Sequence, residues 1–205
     1  MTETITRLYD NYSDAANAVR ELERAGVPHS DISIVASNAD DRYSMQGDRI
    51  VDRDMDGRDD RAEGAAAGAG VGAAIGGIAG ALAGLGLLAI PGVGPVVAAG
   101  WLVSTIAGAA AGGATGGVIG ALTQAGVSTE DAHVYAEGVR RGGTLVTARV
   151  NDSQRQSLQA VLDRSAVNIA TRRAAYQKGG WTSFDEHAPP YTADQVKIER
   201  EMYRR

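Results

Sequence analysis

The hydrophobic pattern divides the chain into two amphipathic stretches separated by a long apolar one. In the first stretch, Ile5 to Tyr9 predicts a short strand. Ser13 is the candidate N-cap of a helix whose apolar positions Ala15, Ala18, Val19 and Leu22 recur at helical spacing. Gly26 ends that helix, Val27-Pro28 prevents its continuation, and Asp31 to Ala36 predicts a second strand. Beyond the apolar stretch, Ser128 and Asp131 form a capping box for a helix through Arg140, which Gly142-Gly143 ends. Thr144 to Val150 predicts a strand, Asp152 caps a helix carrying Leu158, Val161 and Leu162, and Ala166 to Thr171 predicts a last strand.

Two β-α-β halves with a helix between them follow the split β-α-β order of a ferredoxin-like sandwich. A two-stranded half is marginal alone, so the halves are expected to share one four-stranded sheet. The expected fold class is α+β, a ferredoxin-like sandwich with a long inserted helical hairpin whose two ends return to the same place. Residues 1–37 form the first half, 38–63 an acidic loop, 64–126 the hairpin, 127–173 the second half and 174–205 a tail. In the tail, Trp181, Phe184 and Tyr191 surround Pro189-Pro190, and Thr192 with Gln195 caps a short charged helix. The tail reads either as disordered or as a strap that docks its aromatics on a neighbouring subunit.

The inserted segment carries two small-residue stripes. Gly64, Gly68, Gly72, Gly76, Gly80 and Gly84 repeat every four residues, and Gly100, Ser104, Gly108, Gly112, Gly116 and Gly120 do so again. A period of four drifts slowly around a helix of 3.6 residues per turn, so each set makes one face. Glycine inside a helix costs roughly 1 kcal/mol relative to alanine in water. Close helix–helix approach, as in small-xxx-small pairs, is the expected compensation. A flexible linker does not fit, because Val71, Ile75, Ile78, Leu82, Leu85 and Leu88 fill the other faces.

Pro91, Gly92, Gly94 and Pro95 mark the hairpin turn. Each arm exceeds the ~20 residues needed to cross a bilayer core, yet the turn bears no charged or polar side chain, and its loop peptides would be hard to satisfy in lipid. Two readings stand at this point. The hairpin sits in a bilayer, with Trp101 near the far interface, or hairpins of several subunits bury one another in a homo-oligomer. Either way, a lone hairpin in water exposes an apolar patch beyond the usual few hundred Å².

Composition sharpens this picture. Between Gly64 and Thr129 there is no Asp, Glu, Lys, Arg or His, so the flanks hold all the charge. The net charge of −5 and interleaved basic residues give no pull towards nucleic acid. The absence of cysteine excludes disulfides, thiolate metal sites and cysteine catalysis. No basic region followed by an apolar one opens the chain, so the expected location is cytoplasmic, with inner-membrane association if lipid buries the hairpin. Asp52, Asp54, Asp56, Gly57 and Glu63 match the D-x-D-x-D-G-x5-E calcium-loop pattern. Asp59 at the usual apolar position and three competing arginines favour a solvated linker instead. His29, His133 and His187 lack ligand spacing, no phosphate cradle follows a strand, and no catalytic triad or carboxylate pair can be argued. An enzyme is not expected, and no cofactor beyond that calcium.

The chain resembles the bacterial heat-induced general stress protein family. The likeness rests on Leu22 to Val35, Arg58-Asp-Asp-Arg-Ala-Glu-Gly64, Leu87 to Gly100 with its Ile-Pro-Gly-Val-Gly-Pro core, and Tyr135-Ala-Glu-Gly-Val-Arg-Arg-Gly-Gly-Thr-Leu-Val-Thr147. It covers about residues 3 to 171. The resemblance implies a stress-induced bacterial protein and carries no catalytic residues. The expected function is that of a non-enzymatic structural protein assembling through its glycine stripes; the alternatives are a membrane-inserted hairpin that binds or perturbs the bilayer, or a calcium-responsive module.

Overall fold

A computed structural model describes residues 2–40, 86–111 and 117–203. In chain order the elements are β1 (Thr2–Tyr9), α1 (Tyr12–Arg24), β2 (Ile32–Ser37), β3 (Gly86–Ile90), β4 (Gly94–Ala99) and α2 (Trp101–Ala111). They continue with α3 (Gly117–Gln124), α4 (Thr129–Arg140), β5 (Thr144–Asn151), α5 (Arg155–Asp163), α6 (Ile169–Lys178) and α7 (Ala193–Met202). The fold class is α+β, with one open antiparallel sheet in the order β1-β5-β2-β4-β3.

Both β1 and β2 pair antiparallel with β5, so they run parallel to each other on its two sides, joined by α1. Asn11, not Ser13, caps α1: its Oδ1 accepts the Asp14 N–H at 2.8 Å, and the Ser13 hydroxyl donates to the same oxygen. Ala15, Ala18, Val19 and Leu22 are buried, as their spacing predicts. Ser128 caps α4, its Oγ accepting the Asp131 N–H at 3.2 Å.

Residues 86–99 depart from expectation. They form a β-hairpin rather than parts of two helices, and β4 pairs with β2 from Ile34↔Ala99 to Ser37↔Val96. The reason is local. The Val93 N–H donates to Ile90 O at 3.1 Å, and Gly92 has φ +71°. Proline followed by a left-handed glycine is the central pair of a type II turn. Val93, Val96 and Val97 are β-branched, and Pro95 has no N–H to give a helix. Pro91, Gly92, Gly94 and Pro95 do lie at a hairpin turn, but one between strands.

The expected last strand is also replaced. Val167 gives one N–H to Leu8 O at 2.8 Å on the outer edge of β1. Asn168 Oδ1 then accepts the Thr171 N–H at 3.0 Å and starts α6, so pairing stops after one bond. The sheet therefore has five strands rather than four, with β4 and β3 extending it on the opposite side.

Helices cover both faces. On one, Val19 and Leu22 of α1 and Leu158 and Leu162 of α5 pack on Ile5, Tyr9, Ile34, Val146 and Ala148. On the other, Leu102 and Ile106 of α2, Val118 and Leu122 of α3, and Tyr135 and Val139 of α4 pack on Leu8, Val35, Val96, Ala98 and Leu145. Strand β2 is buried at every position, as a strand between two helical layers must be. No helix among the described residues is long and apolar enough to cross a membrane.

The corner between β4 and α2 depends on Gly100. Its φ is +95°, and a Cβ there would collide with Ile32 O and lie 2.5 Å from Ser33 Oγ. That closeness lets Ser33 Oγ accept the Leu102 N–H at 2.9 Å, so β2 caps α2 from across the fold. Gly100 is thus a corner residue and not a member of a helical stripe. Gly100→Ala combines a left-handed conformation with a backbone clash and should lower stability by about 2–4 kcal/mol in urea unfolding. Gly26→Ala, at φ +90° with open space around the position, should lose only about 1–2 kcal/mol. Equal losses would show that space at Gly100 is not the constraint.

Candidate functional site

Two surfaces carry the residues singled out by the sequence. The first is the outer side of α2 and α3. Leu102 and Ile106 point one way into the core, so Ser104, two and two residues from them, lies on the opposite side and is exposed. Gly108 lies within α2. In α3, Val118, Ala121 and Leu122 are buried, and a Cβ at Gly120 would meet nothing within 4 Å. Ser104 and Gly120 of the second stripe therefore turn away from the core. Gly112 and Gly116, the whole first stripe (Gly64, Gly68, Gly72, Gly76, Gly80 and Gly84) and Asp52, Asp54, Asp56 and Glu63 of the acidic loop lie outside the described residues. Among the described residues, no cluster of His, Cys, Asp and Glu could hold a metal.

On the bilayer reading, one of the two left open, Trp101 lies near the far lipid interface. Instead its Nε1 donates to Asp31 O at 3.2 Å, and the Arg149 guanidinium lies 3.7 Å from its ring centroid. A hydrogen bond to the core and a cation over the ring fix it within the protein.

The second surface is the clasp between the tail and the hairpin turn. The tail docks on its own chain, and α6 crosses the boundary expected at residues 173–174. Phe184 is buried, and its N–H donates to His133 Nδ1 at 3.2 Å. The turn is made of glycine where the tail crosses it. A Cβ at Gly92 would lie 2.6 Å from Glu186 Cα and 2.7 Å from Asp185 O, and one at Gly94 would lie 2.7 Å from Pro190 Cβ. The Thr192–Gln195 capping box starts α7, which buries Val196 and sends Arg200 Nε to Gly142 O at 2.9 Å.

An arginine cluster fastens this contact. Glu137, 1% exposed, accepts Arg141 Nε at 2.6 Å and Arg140 Nη1 at 3.4 Å. Arg141 Nη1 also donates to Glu199 Oε1 of α7 at 2.9 Å, and its guanidinium lies 4.3 Å from the Tyr176 ring and 5.5 Å from that of Tyr191. Arg140 sits 4.9 Å over Tyr191 and donates to Pro189 O at 2.9 Å. Arg200 pairs with Asp40. Burial opposes the Arg141 charge, but Glu137 and Glu199 outweigh it and hold its pKa above the usual guanidinium value. For Glu199 burial wins over Arg141, and its pKa is raised. Burial likewise raises the phenols of Tyr176 and Tyr191, so neither serves as a base near neutrality. The cluster's chemistry is adhesive. Sequence reasoning missed it, although Glu137 with Arg140 and Arg141 at i+3 and i+4 was a visible signal.

A cleft of about 810 Å³ opens beside Asp10, Arg164, Arg172, Lys197, Arg200 and Tyr203. Its cations are already committed, Arg172 to Asp10 at 2.6 Å, Arg164 to Glu21 at 2.9 Å, Lys197 to Asp194 at 3.7 Å and Arg200 to Asp40. The remaining histidines pair locally, His29 with Glu23 and His187 with Glu186.

Three variants test the clasp, by amide exchange, by urea unfolding and by the pH dependence of stability. Gly92→Ala should speed amide exchange across residues 184–203 while leaving β1 and β5 protected; unchanged exchange would mean the tail does not need the notch. Arg141→Ala leaves buried Glu137 poorly paired and should lose about 3–5 kcal/mol. Glu199→Gln should behave oppositely with pH. A raised carboxyl pKa favours the folded state below the ordinary value of 4.5, and that contribution fades as pH rises through the raised value. The variant's stability relative to the natural protein should therefore increase from pH 4 to pH 7, and a decrease would show that Arg141 outweighs burial.

No protein-family model, curated protein or solved structure matches this chain, so its function is argued from these two surfaces.

Proposed function

We propose that the chain is a non-enzymatic structural protein that self-associates through the small-residue face of α2 and α3. The observation that carries this reading is the open side at Gly120, with Ser104 exposed on the matching side of α2. Glycine in a helix costs roughly 1 kcal/mol relative to alanine. Gly120 gains no close contact within the described chain in return. A partner helix brought to backbone distance would supply it, through van der Waals and Cα–H···O contacts.

The three strands β1, β5 and β2 with α1 and α5 are read here as a ferredoxin-like sandwich that lacks its fourth strand. In this view the described part of the inserted region covers the sheet's second face and presents Gly120 outwards. The stress-protein resemblance adds a setting, a bacterial cell under stress, in which an assembling protein with no substrate would act by bulk or by scaffolding. A bilayer reading is less well supported, since residues 86–99 form strands and Trp101 is engaged by Asp31 and Arg149.

The test is light scattering and sedimentation of the detergent-free protein beside Gly120→Leu. Leucine is the better helix former, so the substitution should not weaken α3 itself. The natural protein should be oligomeric and Gly120→Leu smaller, with thermal midpoints alike. A monomeric natural protein, or equal size for both, would sink the reading.

A further inference from the structure

The tail is joined to the rest of the chain by a short hinge between two fixed points. At the first point, α6 ends in a left-handed Gly180 (φ +87°), the Trp181 N–H returns to Tyr176 O at 3.1 Å, and the Trp181 ring lies 5.7 Å from that of Tyr176. This is a Schellman closure with its apolar contact, so Trp181 belongs to α6. At the second point, Phe184 is buried in the core beside the hairpin turn. Only Thr182 and Ser183, both exposed, lie between them.

Beyond the hinge, residues 184–203 form a self-contained strap. Its grip on the core combines a few apolar anchors, Phe184 and Val196, with the arginine cluster. The grip is imperfect. Arg140 Nε and Glu199 Oε2 are buried at this contact without hydrogen-bond partners, a defect that water repairs when the strap lifts. The sites released, the glycine notch at Gly92 and Gly94 and the Arg140–Arg141 pair, are the ones the strap fills in the folded chain.

We propose that the strap is exchanged between two copies of this chain, residues 184–203 of each seating in the notch of the other. The occupant is a second copy because the strap supplies Phe184 for the core, Pro190 against Gly94, and Tyr191 and Glu199 for Arg141, at the spacing the notch takes within one chain. Each contact closed within one chain is reproduced between chains, and the hinge is the sole segment that changes. With only Thr182 and Ser183 between its anchors the hinge has little slack, the condition in which exchange competes with closure on the same chain. The exchange uses a different surface from the α2–α3 face and does not require it. Copies already held at that face would exchange more readily, through their high effective concentration.

The experiment uses two full-length proteins, both carrying Gly120→Leu so that the α2–α3 face contributes nothing. One adds Gly92→Leu, which closes its notch to any strap, and the other adds Phe184→Asp, which disables its strap. Alone, each should be a monomer with fast amide exchange across 184–203. Mixed, they should form a one-to-one dimer, and the peptide retaining Phe184, told apart by mass, should become protected. A peptide still unprotected after mixing overturns the proposal. If either variant fails to fold, hinge length decides. Deleting Thr182 and Ser183 should raise the dimer fraction, and inserting about six Gly/Ser residues after Ser183 should lower it. Equal dimer fractions across the shortened, natural and lengthened hinges overturn the proposal as well.

Discussion

Strand β2 sits between β5 and β4 with no exposed residue, and the rest of the molecule follows from that burial. A strand hidden on both sides needs two covering layers, because each apolar side chain left in water forgoes about 1.5–3 kcal/mol. The amphipathic halves supply one layer, α1 and α5. They cannot supply the other. Leu102, Ile106, Val118 and Leu122 do so, together with α4, and β4 completes the pairing of β2. The described part of the apolar insert, residues 86–111 and 117–126, is therefore part of the core. Removing it would unpair β2 along one edge and strip one face of the sheet.

The glycines of the insert then separate by task. Gly92 takes the left-handed position of a turn and leaves room for the strap, Gly100 lets a corner press against Ser33, and Gly120 faces open space. The four-residue spacing takes in Gly100 and Gly120 alike without distinguishing their tasks. Only the last fits helix-to-helix contact, and it lies on a helix already anchored to the sheet by Val118 and Leu122. Anchoring matters for association, since a preformed helix face loses less conformational entropy on meeting a partner than a free hairpin would.

The legibility of the sequence follows the range of the forces involved. Where local patterning and burial agree, as in β1-α1-β2, the Ser128 cap of α4, strand β5 and the Thr192–Gln195 box, the elements are readable from residue type alone. The hairpin at 86–99 was obscured because a period of four ran up to Gly100 in phase with α2, although the valines and the Pro-Gly pair were strand and turn signals. Val167, Ile169 and Thr171 alternate like a strand, yet the side-chain cap at Asn168 prevailed after one bond to β1. The clasp depended on Arg141 meeting Glu199, 58 residues away, which no local pattern encodes.

The arrangement at Glu137 explains how a tail can grip a buried charge and still be separable from it. A carboxylate at 1% exposure must keep its partners in every populated state, since stranding it costs several kcal/mol. Its partners are Arg140 and Arg141, three and four residues along, so the pairing travels with the end of α4 and its exit towards β5. What the strap adds is Glu199, whose carboxyl burial disfavours, and Tyr191, a ring under two cations. Lifting the strap returns Glu199 to water and leaves Glu137 paired. The costly charge is settled locally and the long-range contact is made with groups that water readily accepts. That division confines the charge cost of lifting the strap to Glu199, while Phe184 and Val196 set its apolar cost.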